Sequence, residues 1–424
     1  MAEFDLEEHS KRAYEFYRKI GSPKFVVAPM VQECHESGQV NQSELPFRML
    51  CRKYKVFFSK QCFQAELCYT PMIHAGLYSS DETYRRKEFC TCPEDRPLIA
   101  QFCANNPDTL LTAAKLIQHQ VDAVDLNFGC PQGIARRGNY GAYLLQQTDI
   151  IRKLVTTLHR NLSIPVTCKM RILPNANDTI KLAKMIQNCG ASILTVHGRT
   201  KDMIKQRLGP NDFEIIKRIK SELKIPVFAN GGIQTLADVV KCIEYTKVDG
   251  VMTSEGILMN PALFCGNHPD PISLAHDYLH LASLYPHEST TGAIRPHLFK
   301  FLHQELSVHT DLRTRMAEAP ADELADCLKD LEHEKKIVLQ GDISPPYDMH
   351  PTWYNRHLTH STPAGERARK ELEAAEEKSA HENVRDHSVV EGIFQLFGAD
   401  QDDIPSCDAC HCASEDSSAS RKLV

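Results

Sequence analysis

The sequence predicts an α/β protein: a (β/α)8 TIM barrel followed by a smaller all-helical domain and a disordered acidic tail. Apolar runs recur eight times, helical spacing fills most of the gaps between them, and the composition changes after residue 340. Eight β/α units over about 240 residues match the usual size of such a barrel. The runs are 25–30, 66–72, 98–103, 123–130, 165–172, 193–199, 226–232 and 250–256.

Most runs are rich in Val, Ile, Leu and Phe and lack strict alternation, as expected of parallel strands buried on both faces. A doubly wound sheet is the alternative, but it would usually carry a glycine-rich phosphate loop after its first strand. The first run ends in Ala28-Pro29-Met30 without such a loop, which favours the barrel. The intervening helices are expected at 108–120, 143–161, 179–188, 212–223 and 236–246.

The same pattern divides the chain into four regions. Residues 1–24 form a charged N-terminal helical extension and 25–266 the barrel, while 267–340 form the helical domain, with helices expected at 273–285, 293–312 and 320–336. Residues 341–424 form the tail, whose 16 acidic and 8 basic residues predict mostly disordered chain. The net charge of −6 therefore belongs to the tail, and the near-neutral body can still carry a basic face.

Cysteine usage and hydropathy indicate the cellular compartment. The 16 cysteines are scattered, the first 21 residues have no apolar leader, and no apolar run is long enough to cross a bilayer. These features predict a monomeric protein of the cytoplasm, the nucleus or both, with reduced thiols and no membrane contact. Segments 32–40 and 55–64 exceed ordinary β/α connections, so they are either insertions or errors of sequence assembly.

The stretch Asn127-Phe128-Gly129-Cys130-Pro131 closes the fourth apolar run. A thiol at the carboxyl end of a parallel strand lies where barrel enzymes build their active sites. A lone cysteine is more often a buried structural residue, but polar and glycine residues end the other runs too. They are Pro29, Met30, Gln101, Lys169, Arg171, His197, Arg199, Asn230, Gly231, Gly232, Ser254, Glu255 and Gly256.

Several of these strand ends indicate binding of an anion. A barrel core does not hold Lys169 and Arg171 without an anionic or polar partner, either a ligand or an internal salt-bridge cluster. Gly231 and Gly232 after strand seven, with Gly256 after strand eight, lie where barrels bind phosphate through backbone N–H groups. Lys169 would suit a ring that develops negative charge, such as the pyrimidine part of a reduced flavin.

These motifs resemble the tRNA-dihydrouridine synthases from residue 25 to residue 336. Cys92–Pro97, Arg136-Arg137-Gly138 and Ser254-Glu255-Gly256 are most similar to the eukaryotic branch that modifies tRNA positions 16 and 17. The matching pieces are Ala28-Pro29-Met30, Tyr69-Thr70-Pro71-Met72, Arg96-Pro97-Leu98-Ile99-Ala100-Gln101, Leu126-Asn127-Phe128-Gly129-Cys130-Pro131, Lys169-Met170-Arg171, Val196-His197-Gly198-Arg199-Thr200, Ala229-Asn230-Gly231 and Asn260-Pro261-Ala262-Leu263-Phe264.

The resemblance implies an FMN-dependent enzyme that is reduced by NADPH or NADH and acts on tRNA, which the helical domain holds. Hydride would pass from the flavin to carbon 6 of a flipped-out uracil, and Cys130 would protonate carbon 5, since a thiol with a pKa near ~8.5 keeps a releasable proton. The flavin would be held by Pro29, Met30, Val31, Gln101, Lys169, His197, Asn230, Gly231, Gly232, Ser254, Glu255 and Gly256. The substrate would be oriented by Asn127, Arg171 and Arg199.

The chain departs from the family pattern at the expected phosphate site. Many members have Gly-Arg where Ser254-Glu255 stands, and many have aspartate where Gly232 stands. Because a glutamate cannot pair with phosphate, backbone N–H groups would have to carry more of the contact. In the helical domain, Arg295, His297 and Lys300 have a spacing that would let them face tRNA phosphates, although charged helix faces are usually just solvated.

The tail motif Cys407-x-x-Cys410-His411-Cys412 resembles half of a zinc site, but a closed site usually joins two separated pairs, so no metal is expected. Two other functions stay open. One is an FMN barrel oxidoreductase of a small pyrimidine, and the other is a tRNA-binding relic that has lost its flavin.

Overall fold

The computed structural model describes residues 4–34, 38–58, 61–204 and 207–340. Its strands are β1 (Phe25–Val27), β2 (Val31–Cys34), β3 (Gly38–Asn41), β4 (Val56–Phe58), β5 (Gln61–Phe63), β6 (Leu67–Tyr69), β7 (Ile73–His74), β8 (Leu98–Cys103), β9 (Ala123–Phe128), β10 (Val166–Arg171), β11 (Ala191–His197), β12 (Val227–Asn230) and β13 (Gly250–Thr253).

Eight of these strands close into a parallel barrel in the order β1, β6, β8, β9, β10, β11, β12, β13 and back to β1. Each of the eight apolar runs overlaps one barrel strand, so the predicted fold class is confirmed. The residues of these strands are almost all buried, because helices cover the outside and side chains fill the inside.

The helices are α1 (Leu6–Lys19), α2 (Leu45–Lys53), α3 (Ala75–Ser80), α4 (Glu82–Glu88), α5 (Pro107–Ile117), α6 (Gly133–Arg137), α7 (Thr148–Asn161), α8 (Ala176–Asn188), α9 (Phe213–Glu222), α10 (Leu236–Thr246), α11 (Glu255–Met259), α12 (Pro271–Leu284), α13 (Glu288–Phe301), α14 (His303–Val308), α15 (Thr310–Glu318) and α16 (Leu324–Gln340). Side chains cap the amino ends of several of these helices. Asn106, for example, accepts hydrogen bonds from two backbone N–H groups at the start of α5. Helix α10 has the predicted bounds.

One helix prediction was wrong. The expected helix at 293–312 is three helices, α13, α14 and α15, because Leu302 (ψ 19°) and His309 (ψ 75°) leave the helical backbone region. The region from α12 to α16 is helical as expected. The domain boundaries at 267 and 341 stay predictions, and the tail with Cys407, Cys410 and Cys412 lies outside the described residues.

The two long segments form antiparallel hairpins outside the barrel sheet. β2 pairs with β3, and β4 pairs with β5. The first hairpin returns the chain to the barrel, because Gln42 N donates to Met30 O at 2.9 Å and Met30 N donates to Ser43 Oγ at 3.0 Å. The end of the first strand therefore keeps a defined backbone position despite the longer loop.

Helix α1 covers the amino end of the barrel. His9 Nε2 lies 2.9 Å from the carbonyl oxygen of Ala191, the first residue of β11. Tyr17 donates to the carbonyl oxygen of Asp249, just before β13, at 2.8 Å. With the amino end closed by α1, the carboxyl end is the one left for a functional site.

The helices after the barrel pack on α2 through a buried polar cluster. Tyr278 on α12 donates to Glu44 Oε1 at 2.7 Å, and His297 Nε2 on α13 lies 3.1 Å from Glu44 Oε2. The His297 ring stacks on Phe47 with centroids 4.5 Å apart. Burial opposes the charge on Glu44, but His297 and Tyr278 outweigh it and hold the pKa of that carboxyl below its usual value.

The prediction that Arg295, His297 and Lys300 face tRNA phosphates was wrong for His297. Its side chain is fully buried against Glu44. Arg295 donates to the carbonyl oxygen of Ala319, and partly buried Lys300 lies near Glu44, with burial lowering its pKa to about 8. The helical spacing is real, but that helix face packs inward because Glu44 and Phe47 complement it.

Candidate active site

The register of the parallel strands brings the predicted site residues to one end of the barrel. Lys169 lies beside Asn127, Arg171 beside His197, and His197 beside Asn230 on neighbouring strands. Since parallel strands end on the same side, their last residues form a single rim. The structure therefore brings together residues that are far apart in the sequence.

A chain of hydrogen bonds runs through the barrel interior to the Cys130 loop. Gln101 Nε2 donates to Asp125 Oδ2 at 2.8 Å, and Asn127 Nδ2 donates to Gln101 Oε1 at 2.7 Å. Asn127 Oδ1 accepts from the backbone N–H groups of Gly129 (3.0 Å) and Cys130 (2.8 Å). The family resemblance implies that Gln101 contacts the flavin and Asn127 the uracil. In the structure, both side chains make hydrogen bonds to other groups of the protein.

Cys130 lies in a small apolar cluster at the rim and is 9% exposed. Its carbonyl oxygen accepts from Ala142 N at 3.0 Å. Gly141 makes this approach possible, because it has a positive φ of 64° and a Cβ there would lie 2.7 Å from that oxygen. The loop between β9 and α7 therefore fixes the backbone of Cys130, because both its N–H group and its carbonyl oxygen are hydrogen-bonded.

Two cationic side chains, Lys169 and Arg171, lie near the thiol, and a third, Arg199, lies near Arg171. Arg171 Nε donates to Gly129 O at 2.9 Å and Nη1 to Thr200 O at 2.9 Å, while Arg199 Nε donates to Gly209 O at 2.8 Å. Burial and then repulsion from Arg171 lower the pKa of Lys169 to about 8. Among the described residues, no carboxylate lies within salt-bridge distance of Lys169 or Arg171, which favours an anionic ligand over an internal ion-pair cluster.

His197 and Asn211 leave polar atoms unused at the next part of the rim. His197 Nε2 and both amide atoms of Asn211 are buried and have no hydrogen-bond partner among the described residues. Burial and the charges of Arg171, Lys169 and Arg199 hold the pKa of His197 well below its usual value, so the ring is neutral. Buried polar groups in native proteins are nearly always satisfied, so these atoms indicate a missing polar ligand.

Gly231 shapes the space between those atoms. Its φ is +98°, and a Cβ there would lie 2.4 Å from Asn211 Oδ1 and 2.7 Å from His197 Nε2. Any side chain at this position would fill the space next to both groups, so only glycine keeps the cradle open. Gly232 also has a positive φ, of 71°, which a side chain rarely adopts.

The predicted phosphate residues of the seventh and eighth strands lie beside this cradle. Asn230 Nδ2 donates to Met252 O at 2.9 Å, so this side chain ties β12 to β13. Gly256 lies close to Ile233, because a Cβ at position 256 would be only 2.7 Å from the Ile233 carbonyl oxygen. Ser254 precedes the short helix α11. Burial and then repulsion from Arg199 lower the pKa of Arg171 to about 10, and the charge of Glu255, the first residue of α11, partly opposes this shift.

The end of the first strand reaches the same rim. Gln132 Nε2 donates to Val31 O at 3.2 Å, and Val31 packs against the apolar cluster that contains Cys130. Met30 is buried and its neighbour Pro29 is partly exposed. All the predicted site residues thus lie at the carboxyl end of the barrel, and their individual roles remain predictions.

Sequence reasoning missed Asp125, Thr167 and Asn211. Side chains alternate along a strand, so residues two apart share a face. This rule would have put Asp125 on the inner face with Asn127, and Thr167 with Lys169. Asn211 carries no such signal, because it lies in the connection between β11 and α9 and reaches the rim only through the path of that loop.

No helix in the described ranges is both long and apolar enough to cross a bilayer. Within the same ranges, no group of three or more His, Cys, Asp or Glu side chains is arranged to hold a metal ion.

Comparison with known proteins gives one family. The model of the dihydrouridine synthase (Dus) family matches residues 26–321. The chain is 41% identical over 348 residues to a mouse protein named tRNA-dihydrouridine(16/17) synthase [NAD(P)(+)]-like, covering 79% of this chain and 69% of the relative. It is 42% identical over 318 residues to the Schizosaccharomyces pombe tRNA-dihydrouridine(16/17) synthase [NAD(P)(+)], covering 72% of this chain and 75% of the relative. A human tRNA-dihydrouridine(20a/20b) synthase [NAD(P)+]-like protein is 34% identical over 279 residues, covering 65% of this chain and 81% of the relative.

Proposed function

Because the chain belongs to the dihydrouridine synthase family, we propose that it reduces the 5,6 double bond of uridine in the D-loop of tRNA, at positions 16 and 17. NADPH or NADH supplies the electrons and bound FMN carries the hydride. The observation that carries this proposal is the Cys130 thiol, held at a barrel rim that also presents Lys169, Arg171 and unpartnered His197. The positions 16 and 17 rest on the names of the mouse and fission-yeast relatives.

The residues of the rim fit FMN. The cations Lys169 and Arg171 suit its anionic groups, and His197 Nε2 and the Asn211 amide offer buried polar atoms without partners. The glycine cradle at Gly231 leaves room where a Cβ would clash. When bound, FMN supplies the hydride that adds to carbon 6 of the uracil.

Lys169, His197 and Gln101 would hold the flavin ring and ribityl chain, beside the backbone of residues 29–31. The backbone N–H groups of Gly231, Gly232 and Gly256, with Asn230 and Ser254, would surround the phosphate. Glu255 lies near Arg171 and cannot bind phosphate itself, so we assign it a role in balancing the charge of that arginine.

Cys130 delivers the second hydrogen of the reduction. Its S–H bond breaks as the proton moves to carbon 5 of the uracil, and the electron pair stays on sulfur as a thiolate. Lys169 and Arg171 are close enough to interact electrostatically with Cys130, so they stabilise that thiolate. Arg171, Arg199 and Asn127 would orient the uracil, while the apolar cluster around Cys130 limits access of water.

The substrate must bring its base to the rim. A uridine inside folded tRNA cannot reach the barrel interior, so the target base has to leave its stack. We assign the region from α12 to α16 to holding the tRNA body. As tRNA is found in the cytoplasm and nucleus, we place the protein in one or both.

Two alternatives predict different behaviour. A flavin-free tRNA-binding relic would bind tRNA but not FMN, and the unpartnered atoms of His197 and Asn211 argue against it. An FMN oxidoreductase of a small pyrimidine would work without tRNA, and membership of the dihydrouridine synthase family argues against that.

The first test is the visible absorbance spectrum of the purified protein, followed by identification of any flavin released on denaturation. The two absorbance bands of oxidised flavin, FMN in the supernatant and NADPH-dependent dihydrouridine formation in unmodified tRNA would support the proposal. A colourless protein that does not take up FMN would support the relic, and reduction of a free pyrimidine without tRNA would support the oxidoreductase.

A further inference from the structure

We propose that Asp125 is a positioning residue for the Cys130 thiol, acting through Gln101 and Asn127. This inference rests on the proposed function, in which Cys130 is the proton donor. It assigns a role to a buried carboxylate that touches neither the uracil nor the flavin.

The two ends of the hydrogen-bond chain impose one direction on it. At the loop end, the backbone N–H groups of Gly129 and Cys130 can only donate, so Asn127 must turn its Oδ1 toward them. At the interior end, an ionised Asp125 can only accept, so Gln101 must turn its Nε2 toward it. The remaining contact, Asn127 Nδ2 to Gln101 Oε1 at 2.7 Å, then pairs a donor with an acceptor.

Reversing either amide would break this pairing. If Gln101 presented Oε1 to Asp125, two acceptors would meet there and two donors would meet at Asn127. If Asn127 also reversed, its Nδ2 would face the N–H groups of the Cys130 loop. The negative charge of Asp125 therefore selects the one arrangement in which Asn127 holds the backbone of Gly129 and Cys130.

The surroundings of Asp125 keep it in place and set its ionisation. Its side chain is fully buried, and Oδ1 accepts from Thr167 Oγ1 at 2.6 Å. The titratable groups that influence it are Tyr69 on β6 and Cys168 and Lys169 on β10. Burial raises the pKa of Asp125 to about 6, against the opposing effects of Thr167, Gln101 and Lys169.

Protonation of Asp125 removes the constraint. A neutral carboxyl has an O–H that can donate, so it no longer requires the Nε2 of Gln101, and the Cys130 loop loses its enforced geometry. A small misplacement of a reacting group lowers turnover strongly while leaving binding of the rest of the substrate intact. The expected signature is thus in kcat, and not in KM for tRNA.

The test compares three variants of the full FMN-loaded protein. Asp125→Ala removes the acceptor, Asp125→Asn imitates the neutral carboxyl because its amide can donate as well as accept, and Thr167→Val removes the other hydrogen bond of Asp125 but leaves the chain to Cys130 intact. The measurements are kcat and KM for tRNA across pH, the rate of Cys130 alkylation by iodoacetamide, and the flavin spectrum as a check of the site.

We expect Asp125→Ala to lower kcat about 10- to 100-fold with an unchanged KM for tRNA and with FMN still bound. Asp125→Asn should lower kcat at neutral pH to the level that the original protein shows below pH about 6, and should abolish any further loss of activity below that pH. Thr167→Val should lower kcat at alkaline pH far less than Asp125→Ala and should move the acid loss of activity to higher pH, because the Thr167 hydrogen bond lowers the pKa of Asp125.

Two results would overturn the proposal. One is an Asp125→Asn protein that loses activity at low pH in the same way as the original protein. This result can be obtained even if the Asp125→Ala protein does not fold. The other is Thr167→Val lowering kcat as much as Asp125→Ala, which would make the network merely structural. If the unmodified protein forms no dihydrouridine but Cys130 alkylation still depends on Asp125, the proposed function fails and the positioning role stands.

Discussion

The barrel rim and the contact between the barrel and the helices each contain a histidine whose pKa is lowered by burial. His297, at the contact, lies 3.1 Å from the carboxylate of Glu44 and stacks on Phe47. His197, at the rim, is surrounded by the cations Lys169, Arg171 and Arg199, and its Nε2 has no hydrogen-bond partner in the described ranges.

The difference lies in charge balance. At the contact, the buried Glu44 carboxylate accepts hydrogen bonds from His297 and Tyr278, so its charge is partnered within the protein, although His297 Nδ1 is buried without a partner in the described ranges. At the rim, like charges are crowded together and polar atoms stay unused, an arrangement that costs stability until an anionic, polar ligand binds. Each cluster contains a histidine with one unpartnered ring nitrogen in the described ranges, so the pairing of charge, and not an unused polar atom alone, separates the structural cluster from the candidate binding site.

The largest expected effect is at the rim. Cys130→Ala should lower dihydrouridine formation by about 10²- to 10⁴-fold, because the proton for carbon 5 loses its donor. FMN binding and tRNA binding should be retained. The measurement is single-turnover analysis of tRNA nucleosides, with Cys242→Ala as a control, since Cys242 is a buried cysteine on α10 away from the rim. Normal turnover by the Cys130→Ala variant would show that Cys130 is not the proton donor.

The next effect tests the contact. His297→Leu leaves the Glu44 carboxylate buried with one hydrogen bond fewer, so it should lower the free energy of unfolding by about 3 kcal/mol. FMN affinity measured well below the unfolding transition should not change. Denaturant unfolding of this variant is compared with His280→Leu, which alters an exposed histidine of α12. A variant with normal stability and weakened FMN binding would reverse the roles of the two regions.

The third effect concerns charge at the rim in the FMN-free protein. The pKa of Lys169 falls from 10.5 in the unfolded chain to about 8 in the fold, so between these values the unfolded state binds more protons and stability rises with pH. The contribution is up to ~3 kcal/mol, and Lys169→Met should remove it. Lys220 offers the opposite case: burial opposes its charge, but Asp249 raises its pKa, so Lys220→Met should not flatten this rise. If the free energy of unfolding depends on pH in the same way in Lys169→Met and in the original protein, Lys169 is not a buried cation without an ion-pair partner.

The smallest effect sharpens the cradle. Asn211→Ala should weaken FMN binding about tenfold, which corresponds to one hydrogen bond of about 1.4 kcal/mol. The FMN-free protein should unfold at the same denaturant concentration as before, because the Asn211 amide has no hydrogen-bond partner among the described residues. Flavin fluorescence titration measures the affinity, and Asn161→Ala on exposed chain serves as the control. A loss of stability without a change in FMN affinity would make Asn211 structural.

The predictable part of this protein is what local pattern controls. Apolar runs marked all eight barrel strands, and the polar residues that end them do meet at one rim. The pattern failed where a helix face could be either solvated or buried. His297 has the spacing of a phosphate-binding face, yet Glu44, distant in the sequence, draws it inward.

The sequence by itself determined the barrel, its carboxyl-end residues and the family, because strand burial and strand-end motifs are written in short stretches of chain. Only the tertiary structure decided which of these groups are paired. Asp125 meets Gln101 across two strands, and His197 and Asn211 approach the same point beside Gly231 from separate elements. Hydrogen bonding and desolvation depend on distances between remote residues, and these distances exist only once the barrel has closed.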